Sequence, residues 1–201
     1  MAPSTSIICP PVIRLVPITT TAEDFAGTMG ELQAHFVRFI RGDENTPRER
    51  VYRTRHLEAT LHWIEDPRLG LAYAAVTGPD REALAMELKG WDRYYELPEL
   101  IVRAQQTTTP AERMGAIYQL ALAAPVEPDE SILAIFRTYL QDKSADVRGA
   151  CVLAISYVGW DEFHDLLVAL ARDDEAADVR EDAALLLTNR ELYPARAIVE
   201  Q

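Results

Sequence analysis

Ser144-Ala145-Asp146-Val147-Arg148-Gly149-Ala150-Cys151 returns, worn but readable, as Ala176-Ala177-Asp178-Val179-Arg180-Glu181-Asp182-Ala183, which places Arg148 and Arg180 32 residues apart. Repetition at such a period, with room for a helical pair between the copies, is the mark of a helical repeat array. Asp146-Val147-Arg148 reads as the first turn of a helix, with Ser144 as its N-cap and Asp146 where the helix dipole favours negative charge. Val147, Cys151, Ile155 and Val158 then fall on one face, as do Val179, Ala183, Leu186 and Leu187 in the second copy. Neither helix can bury its apolar stripe alone, so the units must stack on neighbours.

A third copy lies upstream. Thr109 caps a helix with Pro110 at its first position, and Arg113 aligns with Arg148 at an offset of 35, although the Asp-Val before the arginine is missing. Outer helices are expected from Pro98 to about Gln106, from Ser131 to Leu140 and from Trp160 to Ala171, with a short closing helix over Glu191 to Val199. An Asp-Val-Arg opening followed by small and aliphatic residues resembles the short bacterial type of HEAT-like repeat. The resemblance implies an α-solenoid of about three helix pairs over residues 93–201, with Asp146 and Asp178 facing Arg148 and Arg180 in a structural ladder between repeats. It fixes no activity, because such repeats are a scaffold.

Residues 1–92 read as a small α+β unit ahead of this mainly α array. Val12 to Ile18 predicts a short strand. A helix capped by Thr20 or Thr21 follows, with Phe25, Met29, Leu32, Phe36, Phe39 and Ile40 as one stripe to about Arg41. Gly42 to Pro47 is a polar break. From His56 to Glu65 apolar residues alternate, and Leu69 to Thr77 alternates again after an Asp66-Pro67-Arg68 turn, so two strands are expected. Gly78-Pro79-Asp80 opens a helix carrying Leu84, Met86, Leu88 and Trp91. The order strand–helix–strand–strand–helix begins a ferredoxin-like or split βαβ unit. The alternative reads 51–65 and 69–77 as irregular helices of a first, degenerate repeat.

The 201-residue chain carries a net charge of −12, and the acidity is uneven: residues 1–96 hold 11 basic and 14 acidic side chains, residues 97–201 hold 9 and 18. An acidic array argues against nucleic acid, whose backbone needs a basic surface, and fits a basic protein partner. The two cysteines form no disulfide framework, which points to a reducing cytoplasm; Cys151 replaces Ala183 of the next copy and reads as a core residue. The patch Ile7-Ile8-Cys9 is cut by Pro10-Pro11 and lacks a basic leader, and no run reaches membrane-spanning length. Apart from Lys89 and Lys143 the basic residues are all arginine, and alanine is abundant, usage expected of a GC-rich bacterial genome.

No catalytic motif stands out. His56, Glu58 and His62 share one face of the expected strand, but the two histidines are roughly 20 Å apart at about 6.6 Å per two residues, too far for one metal. Asp161, His164 and Asp165 follow helical spacing and read as a charged outer face. Asp173-Asp174-Glu175 lacks the glycine and alternating oxygens of a calcium loop. No phosphate loop, nucleophile elbow or Cys–His pairing is written, so neither catalytic residues, a metal nor a cofactor is expected.

The aromatic group Trp91, Tyr94, Tyr95, Tyr157 and Trp160 is either a junction core or a binding surface. Inner-helix positions facing solvent should include Glu112, Gln119, Ser156, Glu181, Asp182 and Asn189, and with Tyr157 and Trp160 these form the candidate partner-binding set. The expected function is a non-enzymatic protein-binding module, in its most concrete form an immunity- or inhibitor-type protein masking a basic partner. The alternatives are an adaptor or regulatory subunit of a larger complex, or an enzyme of the kind the repeats also resemble, a chromophore lyase. A DNA glycosylase would need a basic concave surface and is disfavoured.

Overall fold

The computed structural model describes residues 13–17, 21–91 and 94–192. In chain order its elements are β1 (Ile13–Leu15), α1 (Ala22–Glu31), β2 (His35–Ile40), β3 (Arg48–Arg53), β4 (Thr60–Asp66), β5 (Leu71–Thr77), α2 (Arg81–Trp91), α3 (Leu97–Gln105), α4 (Pro110–Ala123), α5 (Glu130–Tyr139), α6 (Ala145–Val158), α7 (His164–Asp173) and α8 (Ala177–Leu192), with a single 3-10 turn at Asp161–Phe163 before α7. The closing helix expected over 191–199 is the tail of α8 as far as Leu192; the remainder, with Cys9, lies outside the described residues.

The N-terminal half differs from the sequence expectation first of all at two strands. The stripe from Phe25 to Ile40 is not one helix. Leu32 closes α1, Gln33 takes a positive φ of 50°, and the chain turns into β2. The helical spacing of Phe36 and Phe39 is an imitation produced by a β-bulge. Phe36 pairs with Tyr52 and Phe39 with Arg50, so the extra residue at Val37 puts two side chains three positions apart on the same face. The second difference is β3. Arg48-Glu49-Arg50-Val51-Tyr52-Arg53 carries four charges in six residues and shows no apolar alternation, yet it pairs with β4 from Arg48↔Glu65 to Arg53↔Thr60.

The result is a five-stranded antiparallel sheet in the order β1-β5-β4-β3-β2, in place of a ferredoxin-like unit. β4 starts at Thr60, later than expected. Residues 55–59 instead form a loop seated on the turn at Gly78: the Asp80 carboxylate accepts the Glu58 N–H at 2.8 Å. Gly78 has φ 105°, and a Cβ there would stand 2.5 Å from the Glu58 carbonyl oxygen, so the turn needs glycine. The helical alternative for 51–77 is excluded.

Alternation gives the sheet two working faces. Leu15, Tyr52, Leu61, Trp63, Ala74 and Val76 face α1 and α2, where Phe25, Met29, Leu84 and Leu88 close the layer; the Phe25 ring lies 4.6 Å from that of Trp63. Tyr73 and Ala75, on the opposite face, join Val16, Leu69 and the helices α3 to α8 in a second core. The sheet is thus the middle layer, and the helical half packs directly on it. Tyr157 of α6 fastens the contact: its hydroxyl donates to the wholly buried Asp66 carboxylate at the end of β4, which also meets Arg68 at 3.3 Å. Burial and the neighbouring carboxylate hold the Tyr157 phenol well above its ordinary value. Tyr157→Phe leaves one carboxylate oxygen short of a buried donor. It is expected to lower the unfolding free energy by about 1–3 kcal/mol, measured by urea denaturation.

Candidate interaction surface

The helical half pairs as expected: α3 with α4, α5 with α6, α7 with α8, and α4, α6 and α8 contact one another in succession. Arginines tie these three together, with different carboxylates from those expected. Arg148 donates two hydrogen bonds to Asp174, from Nε at 2.7 Å and Nη2 at 2.8 Å, and a third from Nη1 to the Asp142 carbonyl at 2.7 Å. Arg180 repeats the third contact on the Asp174 carbonyl at 2.5 Å, and Arg113 lies 2.8 Å from the Asp142 carboxylate, an ion contact without hydrogen-bond alignment. The acid of each rung therefore comes from the turn before the helix, Asp142 or Asp174, which the arginine of the preceding unit reaches. Asp146 and Asp178 are exposed in their helices' first turns, where the dipole favours them. Ser144 holds the N-cap position of α6 without a side-chain cap bond.

The candidate partner-binding residues separate into two groups. Tyr157 is 7% exposed and Trp160 4%. The Trp160 indole N–H donates to the carbonyls of Pro125 and Val126, both at 3.1 Å, and its ring stacks 5.9 Å from Phe163. Both are packing residues, and the reading of them as a partner surface is withdrawn. Of the other aromatics Tyr94 is buried and Tyr95 half-buried, the latter under the Arg103 guanidinium at 4.7 Å, whereas Trp91 is 56% exposed and Met86 on the same helix 71%. Gln119 is half-buried, and Ser156 turns its hydroxyl back to the Leu153 carbonyl at 2.6 Å.

Glu112, Glu181, Asp182 and Asn189 are exposed. The side chains of the last three have no hydrogen-bond or ion-pair partner among the described residues. Glu112 is engaged in capping: it accepts the N–H groups of Thr108 at 2.8 Å and Thr109 at 3.0 Å, while Thr109 accepts the Glu112 N–H in return. The Thr108 N–H, then that of Thr109, hold its carboxyl at about 2, below the ordinary 4.5. The sign follows from linkage. A depressed carboxyl stabilises the fold above pH 4.5 and loses that contribution as pH falls toward about 2. A carboxyl-carbon NMR titration is expected to find Glu112 still ionised at pH 3.5, where an exposed glutamate is mostly protonated (about 4.3 in model peptides).

His56, Glu58 and His62 do not share a strand face. His56 and Glu58 lie in the loop before β4, and His56 Nε2 sits 3.0 Å from Glu87. His62, buried on β4, has Nδ1 2.5 Å from Glu49 and Nε2 3.3 Å from Thr77. No group of three or more metal-binding side chains occurs among the described residues, and no helix among them is long and apolar enough to cross a membrane. Burial pushes the Cys151 thiol up, out of reactive range.

One surface was missed by sequence reasoning. β2 is a terminal strand of the sheet, and its Phe36, Val37 and Phe39 are 56%, 47% and 50% exposed. The available signal was charge: Arg38, Arg41, Arg48, Arg50, Arg53 and Arg55 fall within 18 residues of a strongly acidic chain.

Residues 97–188 match the family model described as HEAT repeats, so the C-terminal half is HEAT-like repeat sequence. Repeats of this kind generally mediate protein–protein interaction. Comparison with curated proteins and with solved structures finds no match.

Proposed function

We propose that the chain is a non-enzymatic protein-binding module whose HEAT-like half forms an α-solenoid and offers an acidic surface to a basic protein. The observation that carries this is the match over residues 97–188, a segment holding 7 basic against 16 acidic side chains. The succession α4, α6, α8 supports it, since their N-terminal turns bring exposed Asp146, Asp178, Glu181 and Asp182 to one end of the inner helices. Asp146 and Asp178, in the first turns of α6 and α8, are also stabilised by the helix dipoles, so these two charges cost the fold little. The ladder leaves Glu181, Asp182 and Asn189 free for contact, and they head the candidate set. In its most concrete form the module is a cytoplasmic immunity- or inhibitor-type protein that masks a basic partner.

Affinity capture from the native lysate with wild type and with Glu181→Lys/Asp182→Lys tests this. A basic protein retained by wild type at about 50 mM salt, released at about 500 mM and lost in the variant supports the reading. Equal capture by both proteins refutes the acidic surface, and recovery of a bound small molecule without any protein refutes the module.

A further inference from the structure

The basic β2 edge contrasts with the acidic array, and its side chains are ordered in a way that names a ligand. Register puts Phe36 and Phe39 on one face of the sheet with Tyr52 and Arg50, and puts His35 and Arg38 on the opposite face with Arg53 and Val51. Phe36 continues the interior outward, its ring 5.8 Å from that of Tyr52 in edge contact. His35, Arg38, Arg41, Arg48 and Arg53 are exposed, with no ion-pair partner among the described residues. Residues 35–55 hold six arginines against Asp43, Glu44 and Glu49 in a chain of net −12. The other sheet edge is different: β1 has three residues, and the bridge between Pro17 and Tyr94 follows it.

We propose that β2 accepts an extended segment of a partner protein as a sixth strand, a segment in which acidic and apolar residues alternate. Its apolar side chains would cover Phe36 and Phe39 on one face, and its carboxylates would meet His35, Arg38 and Arg53 on the other. Strand addition supplies the backbone hydrogen bonds, and the two faces supply specificity. Charged side chains and a bulge also protect an edge from unwanted pairing. Protection explains the arginines but gives no reason to expose three large apolar side chains beside them. A second copy is a poor occupant, because β2 holds no acidic residue and so brings no carboxylate to Arg38 and Arg53. Nucleic acid makes no use of the two-faced alternation, and the charge of residues 97–201 repels its backbone.

The probe is a fluorescent peptide of about 8 residues alternating glutamate with valine and threonine, followed by anisotropy at about 50 mM salt. Comparators are a peptide of the same composition with its glutamates in one block, a lysine version, and a single-stranded DNA oligonucleotide. The alternating peptide is expected to bind at least about tenfold tighter than each comparator, and Arg38→Glu and Phe36→Ser/Phe39→Ser each to weaken it about tenfold. All three positions are exposed, and circular dichroism verifies folding. Amide exchange should slow in 35–40 on binding. Equal binding of the block peptide, tighter binding of DNA, indifference to the variants, or sedimentation as a dimer with 35–40 already protected each overturns the proposal. Capture of a basic partner by the array is expected to survive Arg38→Glu, and peptide binding to survive Glu181→Lys/Asp182→Lys, so the two readings fail separately.

Discussion

Arg148→Ala lowers the unfolding free energy by about 3–5 kcal/mol, the cost of breaking a buried ion pair by deleting one partner. Arg148 is 5% exposed, and its hydrogen bonds to the Asp142 carbonyl and the Asp174 carboxylate join α6 both to the turn before it and to the turn before α8. Without it the Asp174 carboxylate stays buried with the Ala176 N–H at 2.9 Å as its remaining donor. Replacing both partners by apolar residues of similar volume is expected to be much less costly, because no charge is left stranded. The pH dependence carries a second signature. The Arg148 hydrogen bond is the main cause holding the Asp174 carboxyl below its ordinary 3.8. This contribution is present above pH 3.8 and disappears as pH falls through the depressed value, so Arg148→Ala should flatten the acid limb of the stability curve. Asp146→Ala, two residues away but exposed and outside the ladder, is expected to cost less than about 1 kcal/mol. Urea melts across pH check all of these.

Phe136→Ala is expected to cost a further about 3–5 kcal/mol through a cavity that rigid neighbours cannot fill. Phe136 is fully buried on α5, with the Phe163 ring 5.0 Å away, and Phe163 in turn stacks on Trp160. The hole therefore opens beneath a tryptophan whose N–H is fixed on the Pro125-Val126 turn. Loss of stability should come with a changed Trp160 signal in the near-ultraviolet circular dichroism of the folded protein. A Phe163→Ala companion allows a double-mutant cycle, in which rings in contact should couple by about 0.5–1.5 kcal/mol.

The helical half was legible because its determinants are local. Capping residues, a proline at the first helical position and a repeated phrase each act within a turn, so Thr109-Pro110 and the 32-residue offset located helices almost to the residue. The ladder's acid was misassigned for a physical reason. Asp146 and Asp178 precede the arginines by two, but a helix of that geometry points such neighbours apart. The pairs run between units, and Asp142 and Asp174 became visible only when α6 and α8 were set side by side. The sheet was less legible because pairing is non-local. β3 is stabilised by its neighbours on both sides and not by its own pattern, and the Val37 bulge disguised β2 as a helix. That disguise also hides the β2 edge, since helical spacing places Phe36 and Phe39 on one stripe with Phe25 and Met29. Tyr157 and Trp160 show the converse limit: composition marks an aromatic as valuable without saying whether it faces inward.

Recognition of a basic protein through the acidic end of the array can be read by amide hydrogen exchange on the chain alone and saturated with the basic partner retained in low-salt capture. Slowed exchange is expected in the N-terminal turns of α6 and α8, over 144–149 and 176–182, with α5 unchanged. Protection confined to the sheet, or absent from both turns in a saturated complex, would contradict it.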